Sequence, residues 1–169
     1  VHSSDHPMFS RSLSSALKRD TSYQDTQMQW LQEISSTLQH YVDFPAVDIP
    51  DVMKGLTYRQ LRDEDIEGIA QDLRAHWRLG QGPITDVVAI LERIGCVVGS
   101  IEMGTSKLDG LCSWSRGDER PHILLATDKM SLPRRQMDAA HELGHAILHK
   151  GVSHEELKSD LKEIERQAF

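Results

Sequence analysis

The sequence has 169 residues, of which 38% are hydrophobic, so it can form one domain with its own core, and no apolar run approaches the ~20 residues that cross a bilayer. A net charge of −7 argues against a broad phosphate-binding surface, so we do not expect this segment to bind nucleic acid directly. Two cysteines are too few for a secreted disulfide framework, and without a signal segment at the start we predict a cytoplasmic protein with no membrane contact.

The first part of the chain is predicted to be a helical arm. Few helix-breaking residues occur between residues 11 and 42, and Leu31, Ile34, Leu38 and Tyr41 recur at helical spacing. We expect these four side chains to form a packing face, which could also serve a homodimer. Two prolines and a glycine in YVDFPAVDIPDVMKGLTY then interrupt the helix. The sequence therefore predicts an arm or linker over residues 1–55 and a second unit over residues 56–169.

The second unit is predicted to contain helices on either side of a small sheet. RDEDIEGIAQDLRAHWRLG has an apolar face and ends at Gly80, and a further helix begins at Pro83 or Ile84 and ends at Gly95. Three short runs with strand character follow, CVVGSIEM, GLCSWS and HILLAT, and then two more helical segments separated by GVSHEELKSD. We predict an α+β fold with a small antiparallel sheet packed against these helices.

The run His141-Glu142-Leu143-Gly144-His145 is an H-E-x-x-H pattern within a helical segment. Residues four apart lie on one face of a helix, so His141 and His145 can present two imidazole nitrogens to one ion. Such a site needs a third protein ligand, because catalytic zinc takes about four ligands and keeps one position for water. Glu142 suits the role of general base toward that water.

Several downstream residues are candidates for the third ligand. His149 is eight residues from His141, which is ~12 Å along a helix and too far for both to bind one ion. We expect His149 to be a partly exposed residue at the helix end, with a supporting contact to the site as the alternative. A ligand from a second helix must return across the first, which makes Glu163 and Glu165 the serious choices among the remaining candidates, His154, Glu155, Glu156, Asp160, Glu163 and Glu165.

RRQMDAAHELGHAILHK, followed by IERQAF, resembles the ImmA/IrrE family of metallopeptidases, in which an E-x-x-A-x-x-F-A helix follows the H-E-x-x-H helix. DGLCSW, HILLAT and HWRLGQGPITDVVAILERIG extend the resemblance over roughly residues 60–169. The resemblance implies that Glu165 is the third ligand of a Zn²⁺ ion and that Glu142 is the catalytic residue. It also implies a protein substrate, and we expect a helix-turn-helix repressor of the Xre type, in stress response or mobile-element control.

Both ends of the sequence suggest a longer product. The chain starts at Val1, and it stops at Phe169 within a helical pattern, so we expect the metallopeptidase-like unit to be truncated at its C-terminus. FSRSLSSALKRD and FPAVDIP resemble the linker of family members that carry an N-terminal DNA-binding domain. The alternative function is therefore a transcriptional regulator whose peptidase-like domain senses a ligand or binds a partner without proteolysis. A third interpretation is an interaction domain in which the histidines bind no metal.

Overall fold

The computed structural model describes residues 18–104, 108–127 and 131–169. Within these ranges the chain forms five α-helices, a short 3-10 helix at Tyr58–Gln60 and three β-strands, which confirms the α+β class. The first 17 residues of the predicted arm lie outside the described residues. In chain order the elements are α1 (Lys18–Leu38), α2 (Asp63–His76), α3 (Val87–Arg93), β1 (Val97–Ile101), β2 (Gly110–Trp114), β3 (Pro121–Ala126), α4 (Leu132–Leu148) and α5 (His154–Gln167).

The three strands form a mixed sheet in the order β1-β3-β2. β3 runs antiparallel to β2, with Gly110 opposite Leu125, and parallel to β1, with Val97 opposite His122. The predicted antiparallel pairing therefore holds for β2 with β3 and is wrong for β1 with β3. The reason is topological. A tight turn joins β2 to β3, and because β3 inserts between β1 and β2 after two chain reversals, it runs in the same direction as β1.

The central strand β3 contributes to two cores, because alternate side chains of a strand point to opposite faces. Ile123 and Leu125 belong to the main core, which the sheet shares with α4, and Leu124 packs with Met28 of α1 on the other face. All six residues of β3 are buried, as expected for a strand that is covered on both sides. The main core also contains side chains of α2, α3 and α4 and of the residues that directly follow α2 and α3: Leu73, Trp77, Leu91, Ile94, Ala139 and Ala146.

The two helices before the sheet are shorter than their sequence patterns indicate. α2 ends at His76 rather than running to Gly80, which has a positive φ of 68°. α3 begins after Asp86, later than the predicted start, because the Asp86 side chain accepts a hydrogen bond from the backbone N–H of Ala89. Both differences concern helix ends, and the apolar faces of the two helices pack into the main core as predicted.

Helix α1 packs on the sheet through a face that contains polar residues. Gln24, Met28 and Ser35 are 3%, 1% and 2% exposed. The Gln24 side chain donates a hydrogen bond to the backbone carbonyl of Met103 at 3.0 Å, and the Ser35 hydroxyl lies 2.7 Å from Nε2 of His122 on β3. These bonds explain why polar side chains can be buried here, since a buried polar group is stabilised by a partner.

The face that was predicted from the apolar spacing of α1 is for the most part not the packing face. Leu31 is partly buried against the α1–sheet core, but Ile34 and Leu38 are 56% and 46% exposed, and Tyr41 lies beyond the end of the helix. The expectation of a four-residue packing face is therefore wrong within this chain. Homodimer formation through the exposed residues, and the division of the chain at residue 55, stay predictions.

Helix α5 folds back toward α4. Its first turn is closed by reciprocal hydrogen bonds between Ser153 and Glu156, and its path bends at Asp160, where φ and ψ are −114° and 17°. The Tyr58 hydroxyl donates a hydrogen bond to the Asp160 carboxylate at 2.7 Å, and Ile164 beyond the bend is completely buried. The bend and its tether bring the last two turns of α5 alongside the middle of α4. None of the described helices is long and apolar enough to cross a bilayer.

Candidate metal centre

His141 and His145 lie one turn apart on α4, on the side that faces α5. Their rings are 6% and 0% exposed, and their Nε2 atoms are 3.0 Å apart. The ring planes are nearly perpendicular, at 89°. The helical spacing that motivated the prediction thus directs both Nε2 atoms to one point.

Glu165 of α5 reaches the same point. Its carboxylate oxygens lie 3.2 Å from Nε2 of His141 and 3.4 Å from Nε2 of His145. Ligand atoms of the three side chains all lie within 4.8 Å of one another, and together they form a group that could hold a metal ion. Glu163, the other carboxylate that the sequence left open, instead pairs with Arg166 at 2.7 Å near the surface.

Small residues allow the two helices to approach at this point. A Cβ atom added to Gly144 would lie 3.0 Å from the backbone oxygen of Ala168 and 3.3 Å from its Cβ. Any larger side chain at Gly144 would push the end of α5 away from α4. The carboxylate of Glu165 therefore reaches both histidines because Gly144 and Ala168 are small.

The donor set fits a divalent transition metal. Two imidazole nitrogens and one carboxylate are a ligand set that zinc accepts, with a fourth position left for water. Oε1 of Glu165 and Nδ1 of His141 are buried without a hydrogen-bond partner among the described residues. Buried polar atoms of this kind are rare, and a cation beside Glu165 would satisfy its orphaned oxygen.

The protonation states of the cluster also suit a metal. Burial acts to raise the pKa of Glu165, but the hydrogen bond from His141 and the nearby ring of His145 outweigh burial and lower this pKa to about 2. Burial lowers the pKa of His145 below its ordinary value. An ionised carboxylate and a neutral imidazole are the forms in which these side chains bind metals.

Glu142 lies between α4 and β2. It is 1% exposed, and its side chain packs over Gly110, where an added Cβ would lie 2.7 Å from Oε1. Oε2 of Glu142 has no hydrogen-bond partner among the described residues. Burial, followed by the charge of Glu165, raises the pKa of Glu142 well above its usual range. This carboxylate next to His141 is therefore a group that can accept a proton.

Comparison with known protein families agrees with this geometry. Residues 91–169, which include both strands next to the site and both helices that form it, match the family model Peptidase_M78, described as the IrrE N-terminal-like domain. This segment is similar to the IrrE N-terminal-like domain, in agreement with the resemblance of the sequence to the ImmA/IrrE family. The family consists of metallopeptidase-like domains, as the sequence pattern indicates. No curated protein and no solved structure matches the chain significantly.

A third histidine of α4 and the turn after it, His149, is buried in the IrrE-like domain, and its predicted exposure was wrong. His149 was expected to be partly exposed, but it is 0% exposed, and its Nδ1 lies 3.0 Å from Nδ1 of His145. Nε2 of His149 lies 3.1 Å from Oε1 of Gln167 on α5. Burial lowers the pKa of His149 to about 4, so the ring is neutral. The spacing of four residues between His145 and His149 indicated that the two rings could meet. Spacing along the chain could not show that Gln167 of α5 would contact His149.

Two other contacts near the IrrE-like site involve residues that the sequence could not place. Arg134, in the first turn of α4, forms an ion pair with Asp109 at 3.0 Å, immediately before Gly110. The indole of Trp114 donates a hydrogen bond to the backbone carbonyl of Ala146, and Lys150 lies over its ring at 3.9 Å. These contacts connect β2 to both ends of α4. They help to hold the strand that supports Glu142.

Proposed function

We propose that this protein is a zinc-dependent endopeptidase whose substrate is a regulatory protein. The observation that carries the proposal is the convergence of His141, His145 and Glu165 from two helices, with the buried carboxylate of Glu142 next to the first histidine. An interaction domain with fortuitous histidines has no reason to bury two imidazoles against a carboxylate from another helix.

His141, His145 and Glu165 would hold the ion. When bound, zinc would polarise the peptide carbonyl and lower the pKa of water toward ~7. Imidazoles bind a metal in their neutral form, so Glu165 would supply the one negative charge that the ligands contribute to offset the dication. The close packing of Gly144 against Ala168 would keep the carboxylate in reach during turnover.

Glu142 would move the proton. It would take a proton from the attacking water as the water oxygen bonds to the carbonyl carbon, and it would deliver that proton to the amide nitrogen as the C–N bond breaks. This role requires a carboxylate without a permanent hydrogen-bond partner, which matches the orphaned Oε2. Gly110 provides the space in which Glu142 is held.

We further propose that the substrate is a helix-turn-helix repressor of the Xre type and that cleavage takes place in the cytoplasm. The support is the resemblance of residues 60–169 to the ImmA/IrrE family and of the arm to the linker that follows a DNA-binding domain. The two cysteines, Cys96 and Cys112, are free and buried, which is compatible with a reducing compartment.

One observation favours the rival function, in which the domain senses a ligand without cutting. A cavity of about 570 Å³ lies beside the C-terminus of α4, within the size range of small-molecule sites. Its wall is mostly apolar and includes Met53, Leu56 and Leu148, and its charged groups are Asp51, Lys150 and Glu156. A regulator could bind an effector there.

Substitution of Glu142 distinguishes the two functions. The wild-type chain and a Glu142→Gln variant are incubated with zinc and a proteome-derived peptide library, and new N-termini are identified by mass spectrometry. We expect new termini only with the wild type, and about one zinc per chain in both proteins. Equal cleavage by both proteins would contradict the role of Glu142. Zinc binding without cleavage by the wild type would favour the sensor.

A further inference from the structure

The amide of Gln167 has a defined orientation. Its nitrogen lies 2.9 Å from the backbone carbonyl oxygen of Tyr58 and 3.0 Å from Oε1 of Glu163. Both of these atoms can only accept hydrogen bonds, so the NH₂ group must face them. The amide oxygen of Gln167 then points toward His149. This assignment depends on the partners and not on the labelling of the amide atoms.

The orientation of Gln167 determines the proton position on His149. Oε1 of Gln167 lies 3.1 Å from Nε2 of His149, and because an amide oxygen is an acceptor, Nε2 must carry a hydrogen. The ring is completely buried and faces an amide oxygen at this nitrogen, so a second proton would place a charge in an apolar interior. The neutral ring therefore presents a lone pair at Nδ1.

The same logic extends to His145. Nδ1 of His149 and Nδ1 of His145 are 3.0 Å apart, and one of them must donate. Because His149 offers a lone pair, His145 must carry its hydrogen at Nδ1. Its Nε2 then has a lone pair, directed at His141 and Glu165. In the opposite tautomer, the hydrogen at Nε2 would occupy the position that a metal ion needs.

We propose that Gln167 and His149 are positioning residues that hold His145 as its Nδ1–H tautomer, so that its Nε2 lone pair is ready to bind the metal before the metal arrives. The proposal rests on the metal site of the proposed function. It adds that the site is prepared by a chain of hydrogen bonds from the Tyr58 carbonyl through α5 to α4. Partners that orient metal-binding histidines contribute typically 10- to 100-fold to metal affinity.

Nitrogen-15 NMR of the metal-free chain tests the proposal directly, because long-range ¹H–¹⁵N correlations show which ring nitrogen carries the hydrogen. We expect the Nδ1–H tautomer at His145 in the wild type. In Gln167→Leu, which removes the acceptor of His149, the population of the Nε2–H tautomer at His145 should rise. A wild-type His145 protonated at Nε2 would overturn the proposal without any substitution.

Zinc affinity, measured by competition with a chelator, provides the second readout. His149→Phe keeps a ring but removes the acceptor, so we expect zinc binding ~10- to 100-fold weaker. His149→Gln restores a carbonyl acceptor and should recover most of the affinity. Ile164→Val, a buried apolar change on the same helix, serves as the packing control and should alter affinity less than about threefold.

The outcomes separate this inference from the proposed function. If His149→Phe and His149→Gln weaken zinc binding equally, or if Gln167→Leu changes neither tautomer nor affinity, the positioning role is wrong while the metal site stands. If the wild type binds no zinc although His145 is in the Nδ1–H form, the proposed function is wrong. Gln167 and His149 would then orient His145 without preparing a metal site. Circular dichroism on each variant confirms that the compared chains are folded.

Discussion

Gly110 on β2 lies directly beneath the carboxylate of Glu142 on α4. A Cβ at Gly110 would lie 2.7 Å from Oε1 and 2.9 Å from Cγ of Glu142, which is closer than van der Waals contact allows. Glycine at this position is therefore a requirement of the site. It connects the edge strand to the residue that we propose as the general base.

Substitution Gly110→Ala should displace Glu142 without removing it. We expect cleavage to fall on the order of 10- to 100-fold, because small displacements of a catalytic group have large effects on rate, while zinc content stays unchanged. Peptide cleavage and metal analysis would check this. Gly117→Ala is the matched control, since nothing lies within 4 Å of an added Cβ there. Equal activity of the two variants would show that the contact with Gly110 does not position Glu142.

Removal of the Glu165 carboxylate should abolish stable metal binding. The wild type is expected to retain about one zinc per chain after dialysis, and Glu165→Ala to retain far less, because loss of a direct ligand exceeds the ~10- to 100-fold effect of losing a supporting partner. Mass spectrometry of the metal content gives the result. Glu155→Ala, at an exposed position in the first turn of α5, is the control. A Glu165→Ala variant with full zinc would point to another ligand.

Acidification should destabilise the α1–sheet contact through His122. Burial lowers the pKa of His122 below 6.5, so the unfolded chain binds its proton more readily than the folded one. The contribution of neutral His122 to the stability of the folded chain is therefore complete above pH ~6.5. It is lost as the pH falls through the pKa of His122 in the folded chain. Urea unfolding of the zinc-loaded chain between pH 5 and 8 should show this decline.

The variant His122→Gln isolates that effect. It should be less stable at neutral pH, because the bond between Ser35 and the ring is lost, but its stability should change less between pH 7 and 5. His40→Gln, at an exposed residue after α1, should leave the pH profile of the wild type in place. If wild type and His122→Gln show the same slope with pH, the decline arises elsewhere.

The exposed face of α1 should support self-association. Trp30, Ile34 and Leu38 are 58%, 56% and 46% exposed and lie four residues apart on one side of the helix. We expect a concentration-dependent dimer in sedimentation equilibrium, weakened at least ~10-fold by Ile34→Glu, because a charge would be buried in the interface. Ser36→Glu on the same helix is the control. A wild type that stays monomeric at high concentration would exclude this dimer.

Local patterns in the amino-acid sequence determined much of the fold and half of the candidate site. The three strands and the helices α2 to α5 follow from apolar spacing, caps and glycines, which act within a few residues. The pairing of His141 with His145 is of the same kind, because a separation of four on a helix brings two side chains to one face whatever surrounds them.

The choice between Glu163 and Glu165 required the tertiary structure. These residues are neighbours in sequence, and the bend at Asp160 together with the contact of Gly144 and Ala168 decides which carboxylate turns toward α4. Sequence spacing contains no information about such a contact between separate helices. The family resemblance implied Glu165, but this implication rested on a sequence motif and not on the positions of the two helices.

Strand order, the packing face of α1 and the burial of His149 were likewise decided only by the assembled chain. The parallel pairing of β1 with β3 depends on which strand takes the centre of the sheet. Gln24 and Ser35 are buried because hydrogen-bond partners from distant parts of the chain face them, and His149 is buried because Gln167 of α5 contacts it. A polar side chain can be buried wherever it finds a partner, and partners far away in sequence become visible only when the chain is folded.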